Sequence, residues 1–129
     1  HGVLPTVLQS SDFAQMAGQL RTLLRDLTGN QGLRPEQIVV LSPYRRDNAA
    51  SAWAAGLDAC ATTDALAAPL PGLVRVGTVQ GFKGLESDVV VLVGIDLRCM
   101  RHPANLYVGA SRARAALYVL ALADAGMAA

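Results

Sequence analysis

The segment Val76–Asp88 has the highest density of residues that could do chemistry. It combines three glycines with two hydroxyls, an amide, a lysine and two carboxylates, and it lies between two apolar runs. Glycines in such a loop let backbone N–H groups approach a phosphate closely, and Lys83 adds a positive charge. It is not a Walker A loop, because no Gly-Lys-Ser/Thr follows a glycine at the required spacing. Taken alone, the segment is also typical of a glycine-rich turn with solvated charges.

A second chemically suggestive stretch is the predicted helix that runs from Pro103 to about Arg114. At about 100° per residue, Asn105, Gly109 and Arg112 gather on one side of this helix, away from its apolar side. A guanidinium at Arg112 is therefore suited to bind a phosphate held by a neighbouring lobe. The alternative is a helix-end arginine that interacts with the helix dipole. Arg114 is expected to lie past the regular helix and to serve solubility.

The elements that must position these residues alternate between strands and helices. Apolar residues at three- and four-residue steps predict the first helix, for which Ser10, Ser11 and Asp12 are candidate N-caps. Unbroken apolar runs predict buried strands, and this alternation predicts an α/β fold with a mainly parallel sheet. The predicted strands are Val3–Leu8, Ile38–Leu41, Val74–Val79, Asp88–Ile95 and Leu117–Leu122, and the predicted helices are Phe13–Leu27, Arg46–Leu57 and Pro103 to about Arg114.

Two connections between these elements stand out. Asp58–Gly72 is the least regular part of the chain and is predicted to be a connecting excursion. Only about eight residues separate the strands that end at Val79 and begin at Asp88, which is too few for a helical crossover between adjacent parallel strands. These two strands are therefore non-adjacent, or one of them runs antiparallel.

Composition and length limit the function further. The 129 residues fit one domain, and 52% hydrophobic with 16% charged residues excludes a disordered chain. A net charge of +1 means that any contact with DNA must be local. The apolar run Val89–Ile95 is far too short to cross a bilayer, so no membrane partner is expected. Cys60 and Cys99 have no metal-ligand spacing and are expected to be reduced, and no metal site is predicted.

At this point the two stretches can be compared with known motifs. Two segments resemble motifs V and VI of superfamily 1 DNA helicases of the UvrD/Rep/RecD type, in order and in spacing. They are Thr78–Glu86 and Leu106–Ala113, with an apolar strand between them. The resemblance is sharp from about Val74 to Leu122, whereas the first half agrees mainly in its strand–helix–strand layout. It implies a RecA-like three-layer fold of the P-loop NTPase type, which here lacks its own Walker A motif.

The resemblance also implies roles for individual residues in a nucleotide site. Arg112 looks like the catalytic arginine finger that reaches the γ-phosphate, a group worth on the order of 10³ to 10⁵ in rate in other NTPases. Glu86 looks like the motif V acid near the ribose, and Gly84 like the glycine that lets the nucleotide approach. The cofactor implied is ATP with Mg²⁺, the metal being held mainly by a partner lobe called 1A, which carries the Walker motifs.

Other residues are implied to bind DNA or phosphate. Thr78 and Gln80 look like the residues that touch the single-stranded DNA backbone, with Lys83 beside them, because hydroxyl and amide donors suit phosphate oxygens. Ile38–Arg46 resembles motif IV, which in the family is followed by another phosphate-contacting arginine. This chain departs from the family pattern, since the expected arginine position falls at Asp47, Asn48 and Ala49. Either Arg45 or Arg46 could substitute for that arginine, or both are solvated charges. Tyr44 could stack on a base, or simply pack in its loop.

The function implied is that of the C-terminal (2A) lobe of an ATP-dependent DNA helicase. Residues 1–129 are then a single domain and a fragment of a larger cytoplasmic DNA-repair enzyme, inactive in isolation. Its partners are single-stranded DNA and the 1A lobe of the same parent. One alternative is a degenerate helicase-like module that acts as a binding or regulatory scaffold. Another is a small nucleotide-binding protein of the doubly wound type, which the missing GxGxxG run disfavours.

Overall fold

The centre of the fold is a parallel β-sheet, seen here in a computed structural model that describes residues 5–43, 49–95 and 113–123. Within these ranges six strands lie in the order β1–β6–β5–β2–β4–β3, and every neighbouring pair is parallel. The predicted α/β class and parallel sheet are therefore confirmed. The strands are β1 Pro5–Ser10, β2 Ile38–Ser42, β3 Thr62–Thr63, β4 Val74–Thr78, β5 Ser87–Ile95 and β6 Ala113–Leu122.

Helix α1, Phe13–Arg25, follows β1 directly and is the predicted amphipathic helix. Asp12 is its N-cap, since the carboxylate accepts a 2.7 Å hydrogen bond from the backbone N–H of Gln15. This bond satisfies one of the free donors at the start of the helix. A π-helical turn over Asp26–Asn30 continues α1 before Gly32. Prediction and structure therefore differ only in how the last turn is wound.

The Ala-rich segment after β2 differs from its prediction. A helix was predicted over Arg46–Leu57, and the structure has a helix of the 3-10 type over Ala49–Ala59, while residues 46–48 lie outside the described ranges. The segment lies very close to α1, because a Cβ added at Gly56 would be 2.2 Å from the carbonyl oxygen of Ala17. The intrinsic α-helix propensity of alanine is a weak preference, which tertiary packing of this kind overrides.

The sheet has a different cover on each of its two faces. Face A packs against α1 and the 3-10 helix Ala49–Ala59, and face B packs against the short connection between β4 and β5. Successive strand residues alternate between the faces, so each central strand is buried on both sides. Buried residues of face A include Met16, Leu20, Leu24, Ile38, Val40, Trp53, Val74, Val76, Val89 and Val91; those of face B include Val39, Leu41, Val79, Phe82, Val90, Leu92, Leu117 and Val119.

The short connection between β4 and β5 is explained by the strand order. These two strands are parallel but non-adjacent, with β2 between them. The connection, residues 79–86, leaves the carboxyl end of β4 and reaches the amino end of β5, so it runs along face B past β2. We call it the crossing loop. Of the two sequence-based alternatives, non-adjacency is confirmed and an antiparallel strand is wrong.

The last strand begins earlier than predicted. β6 starts at Ala113 instead of Leu117, so Ala113 and Arg114 belong to the sheet and the prediction of a helix to about Arg114 is wrong there. Arg114, which was expected to follow the helix and serve solubility, lies in β6 and forms an ion pair with Asp88 of β5. In the described ranges no helix has the length and apolar character to cross a bilayer.

Candidate functional site

The carboxyl edge of the sheet brings the end of β2 to the start of the crossing loop. Thr78 lies opposite Ser42, and the N–H of Val79 donates to the carbonyl of Ser42 at 2.9 Å. Just beyond, the N–H of Gly81 donates to Oγ1 of Thr78 at 2.9 Å. A hydroxyl has one proton and two lone pairs, so Thr78 can accept this bond and still donate to a phosphate oxygen.

The first half of the crossing loop contains a 3-10 turn over Gln80–Phe82, which gives the loop a buried side and an exposed side. The N–H of Phe82 donates to the carbonyl of Val79, and that of Lys83 to the carbonyl of Gln80, both at 3.2 Å. Val79 and Phe82 are buried on face B, whereas Gln80 and Lys83 are exposed. The turn therefore exposes the amide of Gln80 and the ammonium group of Lys83, while Val79 and Phe82 pack on face B.

The second half of the loop turns at Gly84 and ends at the amino edge of the sheet. Gly84 has a φ of +84°, and no atom lies within 4 Å of where its Cβ would be. Glu86 follows and is exposed, directly before β5. Thr78 is paired with Ser42 at the end of β2, and Val89, two residues after the start of β5, is paired with Ile38 at the start of β2. The two ends of the loop are therefore separated by about 20 Å of strand rise.

At this amino edge, three segments are joined by side-chain contacts. Ser87 lies opposite Ala113, and its hydroxyl donates to the carbonyl of Gln37 at 2.9 Å. The Gln37 amide donates to Asp88 at 3.0 Å, and Nε of Arg114 donates to the same carboxylate at 3.1 Å. The hydrogen bond from Gln37, together with the charge and hydrogen bond of Arg114, lowers the pKa of Asp88 below its usual value.

The sequence-predicted site residues thus divide into groups. Thr78, Gln80 and Lys83 lie in the first half of the crossing loop, and Gly84 and Glu86 in the second half. The remaining predicted residues, Tyr44, Arg45, Arg46 and Arg112, lie outside the described residues.

One residue of this region, Arg75, was not predicted from the sequence to belong to the site. Arg75 is only 2% exposed in the middle of β4, and its guanidinium carbon lies 5.3 Å from the ring centroid of Phe82. Its Nη1 donates to the carbonyl of Leu66 at 3.1 Å, while Nε has no hydrogen-bond partner among residues 5–43, 49–95 and 113–123. A charged residue between two buried valines, Val74 and Val76, is the sequence signal that could have found it.

The chemistry of the second half of the loop fits part of a nucleotide site. Glu86 offers an exposed carboxylate, which can accept hydrogen bonds from sugar hydroxyls, and Gly84 leaves open space beside it. No group of three or more His, Cys, Asp or Glu residues that could hold a metal occurs in the described part of the chain.

The parallel sheet, with polar loop residues displayed between its two edges, defines a RecA-like α/β lobe. Residues 73–120 match the sequence model of the family described as UvrD-like helicase C-terminal domain, and they contain the crossing loop and both flanking strands. The predicted UvrD-like helicase C-terminal lobe is therefore confirmed for this part of the chain.

A solved structure shares the fold of nearly the whole chain. The C-terminal domain of a possible DNA helicase from Lactobacillus plantarum WCFS1 superposes with a TM-score of 0.74 at 20% identity, covering 96% of this chain and 77% of that one. The first half of the chain, which lies before the family match, therefore belongs to the same fold. No curated protein matches the sequence.

Proposed function

We propose that this chain is the C-terminal lobe of an ATP-dependent DNA helicase, and that its crossing loop connects a DNA contact to a nucleotide contact. The observation that carries the proposal is the path of the loop. It begins with Thr78 at the carboxyl edge and ends with Glu86 at the amino edge, about 20 Å apart along the strands. One rigid segment can then transmit nucleotide-driven movement to DNA.

Single-stranded DNA binds along the first half of the loop in this proposal. Thr78 retains a hydroxyl proton for donation, and Gln80 and Lys83 are exposed on a turn with a buried apolar base. Amide, hydroxyl and ammonium donors bind backbone phosphates without reading base sequence. The net charge of +1 supports a local contact of this kind over a broad basic surface.

The nucleotide contact lies at the other edge. Ser87, which follows Glu86, pairs with Ala113, which follows Arg112 in the sequence. This register supports the assignment of Glu86 to the ribose and of Arg112 to the γ-phosphate of one ATP molecule. The Walker loop and the Mg²⁺ ligands come from the 1A lobe of the parent, so the ATP supplies its chemistry at an interface between lobes. Either Arg45 or Arg46 adds a further phosphate contact.

The nucleotide half is tested with Arg112→Ala in the parent helicase. DNA-stimulated ATP hydrolysis is expected to fall by roughly 10³-fold or more, while DNA affinity stays within about twofold. Arg25→Ala, at an exposed arginine at the end of α1, is the matched control and should leave turnover unchanged. Near-wild-type turnover in Arg112→Ala would exclude the finger assignment.

The DNA half is tested on the 129-residue chain with a ¹⁵N-labelled sample titrated with oligothymidylate. Amide shifts should change at residues 78–84, and Gln80→Ala should weaken binding by roughly fivefold, the loss of one hydrogen bond. Gln31→Ala, an exposed glutamine after the π-helical turn, is the control. Shifts confined to other surfaces, or no binding in the millimolar range, would point to a scaffold function.

A further inference from the structure

Arg75 is a charged residue at a buried strand position, where an apolar residue is the usual choice. It lies between Val74 and Val76 in β4, and its side chain is enclosed on face B between the connecting excursion and the crossing loop. Among the described residues no carboxylate pairs with it, since the three ion pairs there involve Arg21, Arg34 and Arg114. The Arg75 guanidinium is thus buried without a counter-charge from the described part of the chain.

Such burial is unfavourable for folding. Arginine does not deprotonate in proteins, so Arg75 carries its full charge inside the fold. Burial lowers the pKa of Arg75, and the positive charge of Arg114 lowers it further, so the surroundings oppose the charge. Replacing a buried charge of this kind by an apolar residue of similar volume often leaves stability unchanged or raises it. Core packing therefore does not explain why an arginine stands here.

The contacts of Arg75 show what the arginine does locally. Nη1 donates to the carbonyl of Leu66 in the excursion, and the guanidinium lies over the ring of Phe82 in the crossing loop. Leu66 itself is in tight contact with the loop, because a Cβ added at Gly81 would be 3.2 Å from its Cδ1. Arg75 is therefore the point at which the strand, the excursion and the turn Gln80–Phe82 are tied together.

We propose that Arg75 is a positioning residue for DNA binding, which acts by fixing Phe82 and thereby the outward orientation of Gln80 and Lys83. This inference rests on the proposed DNA contact of the crossing loop. The turn has three residues, and backbone hydrogen bonds join Val79 to Phe82 and Gln80 to Lys83. Fixing the Phe82 ring therefore limits the movement of the backbone that carries Gln80 and Lys83.

The test measures both stability and DNA binding in Arg75→Met. A positioning role predicts weaker DNA binding without a lower melting temperature, whereas a role in stability predicts a lower melting temperature. Arg75→Met keeps the volume but removes the charge and the planar stack, and its melting temperature should equal or exceed that of the wild type. Its affinity for oligothymidylate, measured by the same amide titration, should fall by up to about thirtyfold, the value of a desolvated cation–π contact. Arg75→Lys, which keeps the charge without the planar group, should recover only part of the loss. Arg25→Met at the exposed end of α1 is the control and should match the wild type.

A double-mutant cycle identifies the residue through which Arg75 acts. Phe82→Leu should weaken binding to a similar extent, and Arg75→Met combined with Phe82→Leu should be no weaker than either single variant. Additive losses would overturn the coupling. The proposal is also overturned if Arg75→Met binds DNA as the wild type does, or if it no longer folds, since the arginine would then serve stability. Absence of binding by the wild type would instead overturn the proposed function.

Discussion

Ser87 in β5 lies directly opposite Ala113 in β6, at the amino edge of the sheet. Neighbouring strands are about 4.8 Å apart, so the described ends of the two sequence motifs meet at one place. Each of these residues is preceded by a candidate nucleotide contact, Glu86 and Arg112. The register of β5 on β6 is therefore the structural relationship on which the proposed nucleotide site depends.

The first prediction concerns the carboxylate on this edge. Glu86→Gln in the parent helicase should raise the KM for ATP by roughly tenfold, because a hydrogen bond to a charged acceptor is replaced by a weaker one. DNA affinity should not change, since the DNA contacts lie in the first half of the loop. Steady-state ATPase kinetics provide the measurement, with Glu36→Gln on the nearby 3-10 turn as control. An unchanged KM would remove Glu86 from the nucleotide site.

The second prediction concerns Asp88, whose pKa is lowered first by Gln37 and then by Arg114. A carboxylate with a lowered pKa stabilises the folded state above its unfolded pKa of about 3.9, and this stabilisation is lost as the pH falls through the folded pKa. Asp88→Asn should thus cost up to about 1 kcal/mol at pH 7, a range typical of exposed ion pairs, and less than half of that at pH 3.

Urea unfolding at pH 7, 5, 4 and 3 measures this difference. Arg114→Gln serves as the comparison, because it removes one contact of Asp88 and leaves the bond from Gln37 in place. Its cost at pH 7 should be smaller than that of Asp88→Asn. A cost for Asp88→Asn that stays constant from pH 7 to 3 would contradict the assignment of this stabilisation to the charged carboxylate.

Much of the sheet could be predicted from residue patterns, but its order could not. The central strands β2 and β5 were predicted from unbroken apolar runs, which reflect burial on both faces. Strand order depends on contacts between distant segments, and an eight-residue connection allowed two arrangements. A helix was predicted at Arg46–Leu57, but its 3-10 form over Ala49–Ala59 was not, because intrinsic propensity carries no information on the close approach of Gly56 to Ala17.

The candidate site shows the same limit. Residue types located the crossing loop, since glycine, hydroxyl, amide and charge fall together between apolar strands. Its division between two edges of the sheet follows from the pairing of Ser42 with Thr78 and of Ser87 with Ala113, which one strand alone does not reveal. Arg75 was missed because a single charge in an apolar run is also typical of a strand at the edge of a sheet.

The third prediction compares Gly56, in the 3-10 helix that packs against α1, with Gly18 in α1. Gly56→Ala places a Cβ 2.2 Å from the carbonyl oxygen of Ala17, so the backbone must move and stability should fall by about 1–3 kcal/mol. Gly18, in α1 itself, has no atom within 4 Å of the added Cβ. Gly18→Ala should therefore gain about 0.5–1 kcal/mol from helix propensity. Urea unfolding of both variants should give opposite signs, and equal effects would contradict the close approach at Gly56.

The last prediction compares two glycines that share a φ of +70°, Gly94 in β5 and Gly32 before β2. Alanine at either position adopts a left-handed conformation that costs about 1–2 kcal/mol. A Cβ at Gly94 would in addition lie 2.9 Å from Nε1 of the buried Trp53, whereas nothing lies within 4 Å at Gly32. Overpacking of this kind adds about 1–3 kcal/mol, and it would also strain the 3.3 Å hydrogen bond from the Gly94 N–H to the sulfur of Met16. Gly94→Ala should therefore be less stable than Gly32→Ala by that amount in urea unfolding, and equal stabilities would show that the carboxyl end of β5 is packed more loosely against Trp53.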